Sequence, residues 1–166
     1  MIPLSVLDLV PVRAGVPAAV AIREVTELAR AAERLGYRRY WFAEHHGVGS
    51  FASSAPEILI GHVAGATSRI RVGAGGILLN NHPPLRVAEV FRTLEALYPG
   101  RIDLGLGRTH GGDRVTPRAL RAFPSEAFES QLRELLGLCA RSLSADNPWP
   151  PCGSFPMTWL FRRSGY

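Results

Sequence analysis

Lysine is absent from this 166-residue sequence, in which all 19 basic residues are arginines. A total absence of lysine indicates a codon bias rather than selection for one kind of ligand. The arginines are scattered through the chain, whereas a nucleic-acid-binding protein gathers its basic residues on one face. The formal net charge of +5 is therefore no sign of such a partner, and we expect no nucleic acid to bind.

Cysteine and long apolar runs are also scarce. The 2 cysteines, Cys139 and Cys152, are too few for the disulfide framework of a small secreted domain. No apolar run approaches the roughly 20 residues of a membrane-spanning helix, and residues 1–12 lack the basic region and cleavage site of a signal peptide. We therefore expect a cytoplasmic chain without a membrane partner. Its 46% hydrophobic and 20% charged residues are typical of a globular domain.

What the sequence does contain is a regular alternation of short apolar runs and helical patterns. The runs begin near residues 4, 38, 70 and 102. Each is followed by a stretch whose apolar residues recur every three or four positions, which is the spacing of a buried helix face. The second, third and fourth strands are predicted over Tyr37–Ala43, Ile70–Ala74 and Ile102–Gly107.

The helices are expected to begin after Pro17, at Ser54, near Pro84 and after Ser125. Ser54 is predicted to be an N-cap, because a proline and a glutamate follow it within the first turn. Gly36 is the predicted stop of the first helix. The predicted core stripe of that helix consists of Ala21, Val25, Leu28, Ala29, Ala32 and Leu35.

Four βα units with a regular period predict an α/β fold with a parallel sheet and crossover helices. Nothing in this period signals a reversal of the strand order, which favours the TIM (β/α)8 barrel family over a doubly wound sheet. Four units are half of eight, so we predict a half barrel over residues 1–143. Residues 144–166 contain several prolines and tryptophans without any period, and we predict an irregular tail foreign to the fold. A proline-rich loop that packs its tryptophans on the sheet is the alternative.

Residues suited to ligand binding follow three consecutive predicted strands. Glu44–His46 follows the second strand, Gly75–Gly76 the third and Arg108 the fourth. Because the carboxyl ends of parallel strands lie at one edge of a sheet, we expect these residues to share that edge. A histidine can transfer protons near neutral pH. A glycine pair lets a flat ligand lie on bare backbone, and an arginine can bind an anionic group.

Each of these features also has a structural explanation. The glycine pair is equally typical of a strand-to-loop turn, and Arg108 could form a surface salt bridge with Asp113 or Glu44. Metal binding is disfavoured for His45 and His46, because adjacent residues on a strand point to opposite faces. Glu44 and His46 together keep metal binding as an alternative, but we assign no metal site.

The sequence resembles the bacterial luciferase-like monooxygenase family, whose members are flavin-dependent TIM-barrel enzymes. The resemblance covers about residues 2–122 and corresponds to the N-terminal half of the family's barrel. The motifs that carry it lie, in the family's order and spacing, at residues 5–8, 35–46, 54–57, 69–73, 81–89 and 99–108.

This resemblance implies an oxidoreductase. Reduced flavin (FMN, or a deazaflavin in some branches) and oxygen would act on an aldehyde or another small organic substrate, with a flavin reductase as the electron source. His45 matches the family's functional histidine, and the resemblance implies an acid/base role for it beside the flavin. Gly75 and Gly76 match the small pair under the flavin ring, which is often joined by a non-proline cis peptide bond. Arg108 matches an arginine that contacts the flavin.

The family has eight βα units, and its second half supplies much of the flavin phosphate site. Three hypotheses follow. The chain is a truncated luciferase-like monooxygenase, or it is a non-catalytic fragment or partner subunit that completes a barrel with another chain as a homo- or hetero-oligomer. The third hypothesis is a metal-assisted hydrolase at the same edge of the barrel.

Overall fold

A computed structural model describes residues 2–139 of the chain. The predicted tail over residues 144–166 lies outside the described residues, as does Cys152. Within them, strands and helices alternate in the order β1 (Ser5–Asp8), α1 (Ala18–Arg34), β2 (Arg39–Phe42), α2 (Pro56–Ala66), β3 (Arg71–Leu78), α3 (Pro84–Leu97), β4 (Ile102–Gly107), α4 (Thr116–Ala119) and α5 (Phe128–Cys139).

The strands form one parallel sheet in the order β1-β2-β3-β4. Because each strand pairs with the next one along the chain, every crossover returns the chain beside the strand it has just left. This is the strand order of a (β/α)8 barrel, and the predicted half barrel is therefore confirmed. No helix in residues 2–139 is long and apolar enough to cross a membrane.

One face of the sheet is buried under the helices and forms the hydrophobic core. Tyr40 and Phe42 on β2 point into this core, beside Val72 and Ala74 on β3, and none of the four side chains is exposed. Two leucines that the sequence predicts for the core stripe of α1 are instead largely exposed, Leu28 at 51% and Leu35 at 77%. The buried stripe is narrower than predicted and consists of three alanines and one valine: Ala21, Val25, Ala29 and Ala32.

Element boundaries differ from the prediction at three places. The N-cap of α2 is Ala55, and no side chain caps the helix, so the prediction for Ser54 is wrong. Strand β3 continues past Ala74 to Leu78. The short helix α4, which the sequence pattern does not predict, precedes α5. Gly36 does follow α1 with a φ of 80°, as its predicted role as a helix stop requires.

The opposite face of the sheet, which lines the inside of a barrel, has charged residues near the amino ends of its strands. The Asp103 side chain is 1% exposed. Its carboxylate accepts hydrogen bonds from Arg39 Nε at 3.0 Å, Arg71 Nε at 2.9 Å and Trp41 Nε1 at 3.1 Å. These side chains come from β2, β3 and β4, so one carboxylate links three strands. The carboxyl ends of the strands lie beyond this cluster.

Candidate functional site

Gly75 and Gly76 form a bulge near the carboxyl end of β3. The pairing of β3 with β4 is regular up to Ala74 and resumes at Ile77, and the peptide bond between the two glycines is cis. A Cβ atom on Gly76 would lie 2.8 Å from backbone atoms of Gly105, so β4 approaches too closely for any other residue. The bulge therefore presents bare backbone, and β-bulges occur often beside active sites.

His45 lies just past the end of β2, and its ring packs against Phe51 with a centroid distance of 4.9 Å. Its backbone N–H donates to Ser53 O at 3.2 Å. The ring atom Nδ1 is buried and has no hydrogen-bond partner among residues 2–139. Buried polar atoms are nearly always satisfied in native proteins, so we expect a group outside residues 2–139 to bond this nitrogen.

Arg108 lies just past the end of β4 and is exposed. Its guanidinium carbon lies 5.9 Å from the centroid of the Phe128 ring, at the start of α5. The alternative salt bridges are not observed, because the Asp113 carboxylate accepts hydrogen bonds from Val115 and Thr116 and the Glu44 carboxylate binds two histidines. The cation of Arg108 is therefore not neutralised by either carboxylate.

The three predicted groups thus follow adjacent strands at one edge of the sheet. Strands are spaced by about 4.8 Å, so the ends of β2 and β4 lie roughly 10 Å apart with the Gly75–Gly76 bulge between them. The side chains of His45 and Arg108 rest on different aromatic rings, Phe51 and Phe128. Their convergence on a single ligand therefore stays a prediction. A bare backbone flanked by an imidazole and a guanidinium suits a flat, anionic ligand.

A second group of residues at this edge forms a closer cluster. Glu44 Oε1 lies 2.7 Å from His46 Nε2 and 2.8 Å from His82 Nε2. The other oxygen, Glu44 Oε2, accepts the backbone N–H of Leu78 at 2.8 Å. Glu44 and His46 follow β2, whereas Leu78 ends β3 and His82 follows it, so the cluster ties the ends of two neighbouring strands together.

The environment of this cluster favours a charged carboxylate. Burial alone would raise the pKa of Glu44, but hydrogen bonds from His82, His46 and the Leu78 amide outweigh it and hold the pKa below its ordinary value. Burial likewise would lower the pKa of His82, but the hydrogen bond and negative charge of Glu44 prevail and raise it. The buried charge is thus balanced within the cluster.

The sequence pattern keeps metal binding by Glu44 and His46 as an alternative and gives no sign of His82 as the third member of their cluster. The signal for the pair is their spacing, because residues two apart on an extended segment point to the same side. His82 lies 38 residues from Glu44 in the sequence. Only the pairing of β2 with β3 brings it within hydrogen-bonding distance, so no local pattern could have identified it.

The model of the luciferase-like monooxygenase family matches residues 2–150 of the chain. A protein of Escherichia coli strain K12 named luciferase-like monooxygenase is 43% identical over 170 residues, covering 99% of this chain and 51% of that protein. The N-acetyl-S-alkylcysteine monooxygenase of Bacillus subtilis is 44% identical over 138 residues, covering 81% of this chain and 41% of that protein.

The fold agrees with solved structures. Apo-MsnO8 superposes with a TM-score of 0.86 at 42% identity, over 97% of this chain and 50% of that chain. A type II Baeyer–Villiger monooxygenase from Pseudomonas putida, solved in complex with FMN, superposes with a TM-score of 0.71 over 83% of this chain and 39% of that one. At 22% identity the second likeness shows the fold alone.

The chain spans about half the length of the curated relatives that it matches. The family model nevertheless covers nearly the whole chain, and the structure has the strand order of the family's barrel. The sequence motifs, the fold and the relatives thus agree: this chain belongs to the luciferase-like monooxygenase family.

Proposed function

We propose that this chain provides the N-terminal half of a flavin-dependent monooxygenase site. The observation that carries the proposal is the bare backbone of the Gly75–Gly76 bulge, which lies at the sheet edge between the strand ends that carry His45 and Arg108. Neighbours of the same fold have been solved with FMN and with an F420 adduct. FMN is the cofactor we propose, and a deazaflavin of the F420 type is the alternative.

The residues present fit such a cofactor. A Cβ on Gly76 would collide with the backbone of β4, so this position requires glycine and the bulge carries no side chain of its own. The buried, unpartnered Nδ1 of His45 can exchange a hydrogen bond with a bound ligand, and the exposed guanidinium of Arg108 can contact the anionic part of a reduced flavin. The glycine bulge thus offers a flat surface, His45 a polar contact and Arg108 a positive charge.

When bound, reduced flavin supplies the electrons that activate oxygen for oxidation of a small organic substrate, for which an aldehyde is the proposed class. The chain's own residues would bind the cofactor and orient it. The Gly75–Gly76 backbone would lie against the flat face of the cofactor, and Arg108 would hold its negative charge. His45 would hold or move a proton at Nδ1, because an imidazole can do so near neutral pH. Phe51 would keep the imidazole ring in place.

The other half of the site would come from further barrel strands. Strands β1 and β4 each pair on one side only among the described residues, and parallel barrels close through both such edges. We propose that these edges are covered in the active protein by the second half of a longer chain or by another chain. The family assignment favours the monooxygenase over the metal-assisted hydrolase.

The direct test is an anaerobic titration of the chain with reduced FMN, followed by flavin fluorescence. We expect saturable binding that weakens at least about tenfold in Arg108→Ala, because a charge-assisted contact contributes on the order of 1.5–3 kcal/mol. Arg133→Ala is the matched control, since Arg133 is an exposed arginine of α5 that pairs only with Glu129 at 3.4 Å in the described structure. Equal binding by the two variants, or none by the unmodified chain, would contradict the proposal.

A further inference from the structure

The Glu44–His46–His82 cluster has a composition that the proposed flavin site does not use. It brings together one carboxylate oxygen and two imidazole nitrogens, all within 4.8 Å of one another. Two histidines and a glutamate are a common ligand set for zinc, and sites with three protein ligands keep a fourth position open for water. We propose that Glu44, His46 and His82 form a binding site for a divalent transition metal ion, with Zn²⁺ as the preferred ion.

The distances require only small movements of the side chains. Zinc lies about 2.0–2.2 Å from nitrogen and oxygen ligands, so tetrahedral ligands are separated by roughly 3.3–3.5 Å. The Glu44 oxygen now lies 2.7 and 2.8 Å from the two imidazole nitrogens. Moving the oxygen outward by about half an ångström makes room for the ion. The ion would take the place of the Nε2 protons that the histidines share with Glu44. A doubly protonated imidazole releases its Nε2 proton to solvent, whereas a neutral imidazole keeps its one proton on Nδ1.

The three ligands are held in place from outside the cluster. The second oxygen of Glu44 is fixed by the Leu78 amide at 2.8 Å. The backbone N–H of His46 donates to Gly111 O at 2.9 Å, and the carbonyl of His82 accepts from Gln131 Nε2 at 3.2 Å. The contact on Glu44 orients the ligand side chain itself, whereas those on His46 and His82 fix the backbone from which the imidazoles extend. The site is thus preorganised by three different segments of the chain.

The cluster is buried but can be reached from solvent. The Glu44 side chain is fully buried, whereas the side chains of His46 and His82 are 13% and 28% exposed. His82 also lines an open cleft between α2 and α3, together with Glu57 and Arg86. The charges of Glu57 and Arg86 oppose each other, so the approach to His82 is close to neutral. An ion can therefore enter through the cleft, pass the histidines and reach the buried carboxylate of Glu44.

The site is tested by adding Zn²⁺ to the untagged, metal-stripped chain at constant pH, with isothermal titration calorimetry as the readout. We expect one equivalent of Zn²⁺ to bind, with affinity at least 10–100-fold lower in His82→Ala, since even the loss of an outer contact costs that much. His62→Ala is the matched control, because His62 bonds Thr26 away from the cluster. A Co²⁺ titration supplies the second readout, and a visible absorption spectrum typical of tetrahedral coordination is expected only when His82 is present.

A third readout covers the case in which His82→Ala disturbs the fold. Ligands that bind only the native state raise its melting temperature, so Zn²⁺ should raise that of the unmodified chain and of His62→Ala. In Glu44→Gln, which keeps the size of the side chain, the shift should be lost while circular dichroism reports an intact fold. Binding of equal affinity in all variants, or no binding to the unmodified chain, would overturn the proposal without affecting the flavin proposal.

Discussion

Replacing Asp103 by asparagine tests how strongly the charged cluster on the inner face ties the sheet together. The carboxylate is 1% exposed and binds Arg39, Arg71 and Trp41. Asparagine keeps the size of the side chain but removes the negative charge, which leaves two guanidinium groups facing each other. The asparagine amide would also point an N–H₂ donor at the N–H groups of Arg39, Arg71 and Trp41, which can only donate hydrogen bonds.

The expected loss in the free energy of unfolding follows from the burial of the Asp103 carboxylate. Removing one partner of a buried ion pair costs about 3–5 kcal/mol. The side chains of Arg39 and Arg71 are each 25% exposed, and Arg71 also donates to the carbonyls of Gly100 and Ile102. Partial hydration and these remaining bonds reduce the loss, so we expect Asp103→Asn to lower the free energy of unfolding by about 2–4 kcal/mol. That is a large share of the 5–15 kcal/mol typical of a domain.

The assay is urea unfolding of the chain followed by far-ultraviolet circular dichroism. Glu129→Gln is the control, because Glu129 pairs with Arg133 at 3.4 Å between side chains that are 75% and 79% exposed. Exposed pairs of this kind contribute under about 1 kcal/mol. If Asp103→Asn and Glu129→Gln shift the urea midpoint equally, the carboxylate does not hold the three strands together and the reasoning is refuted.

Three further predictions concern the edge of the barrel, its glycines and its acid stability. Gly76→Ala should destabilise the fold by about 1–3 kcal/mol, because its Cβ would lie 2.8 Å from the backbone of β4; Gly49→Ala, with open space around its Cβ, should change the urea midpoint little. His45→Ala should lower the rate of substrate oxidation in flavin-loaded protein by about 10²–10⁴-fold and lower the affinity for reduced FMN by no more than about tenfold, the value of one hydrogen bond; an unchanged rate would exclude proton transfer by His45. Burial would raise the pKa of Glu33, but hydrogen bonds from the amides of residues 68–70 outweigh it and lower the pKa below 4.5. The stability from Glu33 should therefore be present above pH 4.5 and lost as the pH falls below it, and Glu33→Gln should flatten a plot of urea midpoint against pH in that acid range.

The sequence predicts the strands and helices well because their signals are local. Each buried run and each helical stripe is contained in one short window, so the four strands and the half barrel follow from the period alone. The boundaries of the elements are predicted less accurately. Ser54 has the residue type of an N-cap, yet the helix begins one residue later because Ala55 holds the N-cap position. Leu28 has the spacing of a core residue but lies at the margin of a stripe formed by small residues.

The contacts that define the site are instead long-range. Asp103 meets Arg39 across 64 residues, and Glu44 meets His82 across 38. No periodicity within one element encodes such a pair, because it depends on which strands are neighbours and on their register. The Gly75–Gly76 bulge is an intermediate case. The glycine pair is visible in the sequence, and the resemblance implies its cis peptide bond, but the close approach of β4 that requires glycine appears only in the fold.

A crystal structure of the chain soaked with reduced FMN under anaerobic conditions tests the central claim most directly. We predict ring density against the Gly75–Gly76 backbone, with the His45 imidazole at its edge and the Arg108 guanidinium turned from Phe128 toward the ligand. Density for the ring at any other face of the molecule, or a ring at the bulge that neither His45 nor Arg108 contacts, would contradict the account.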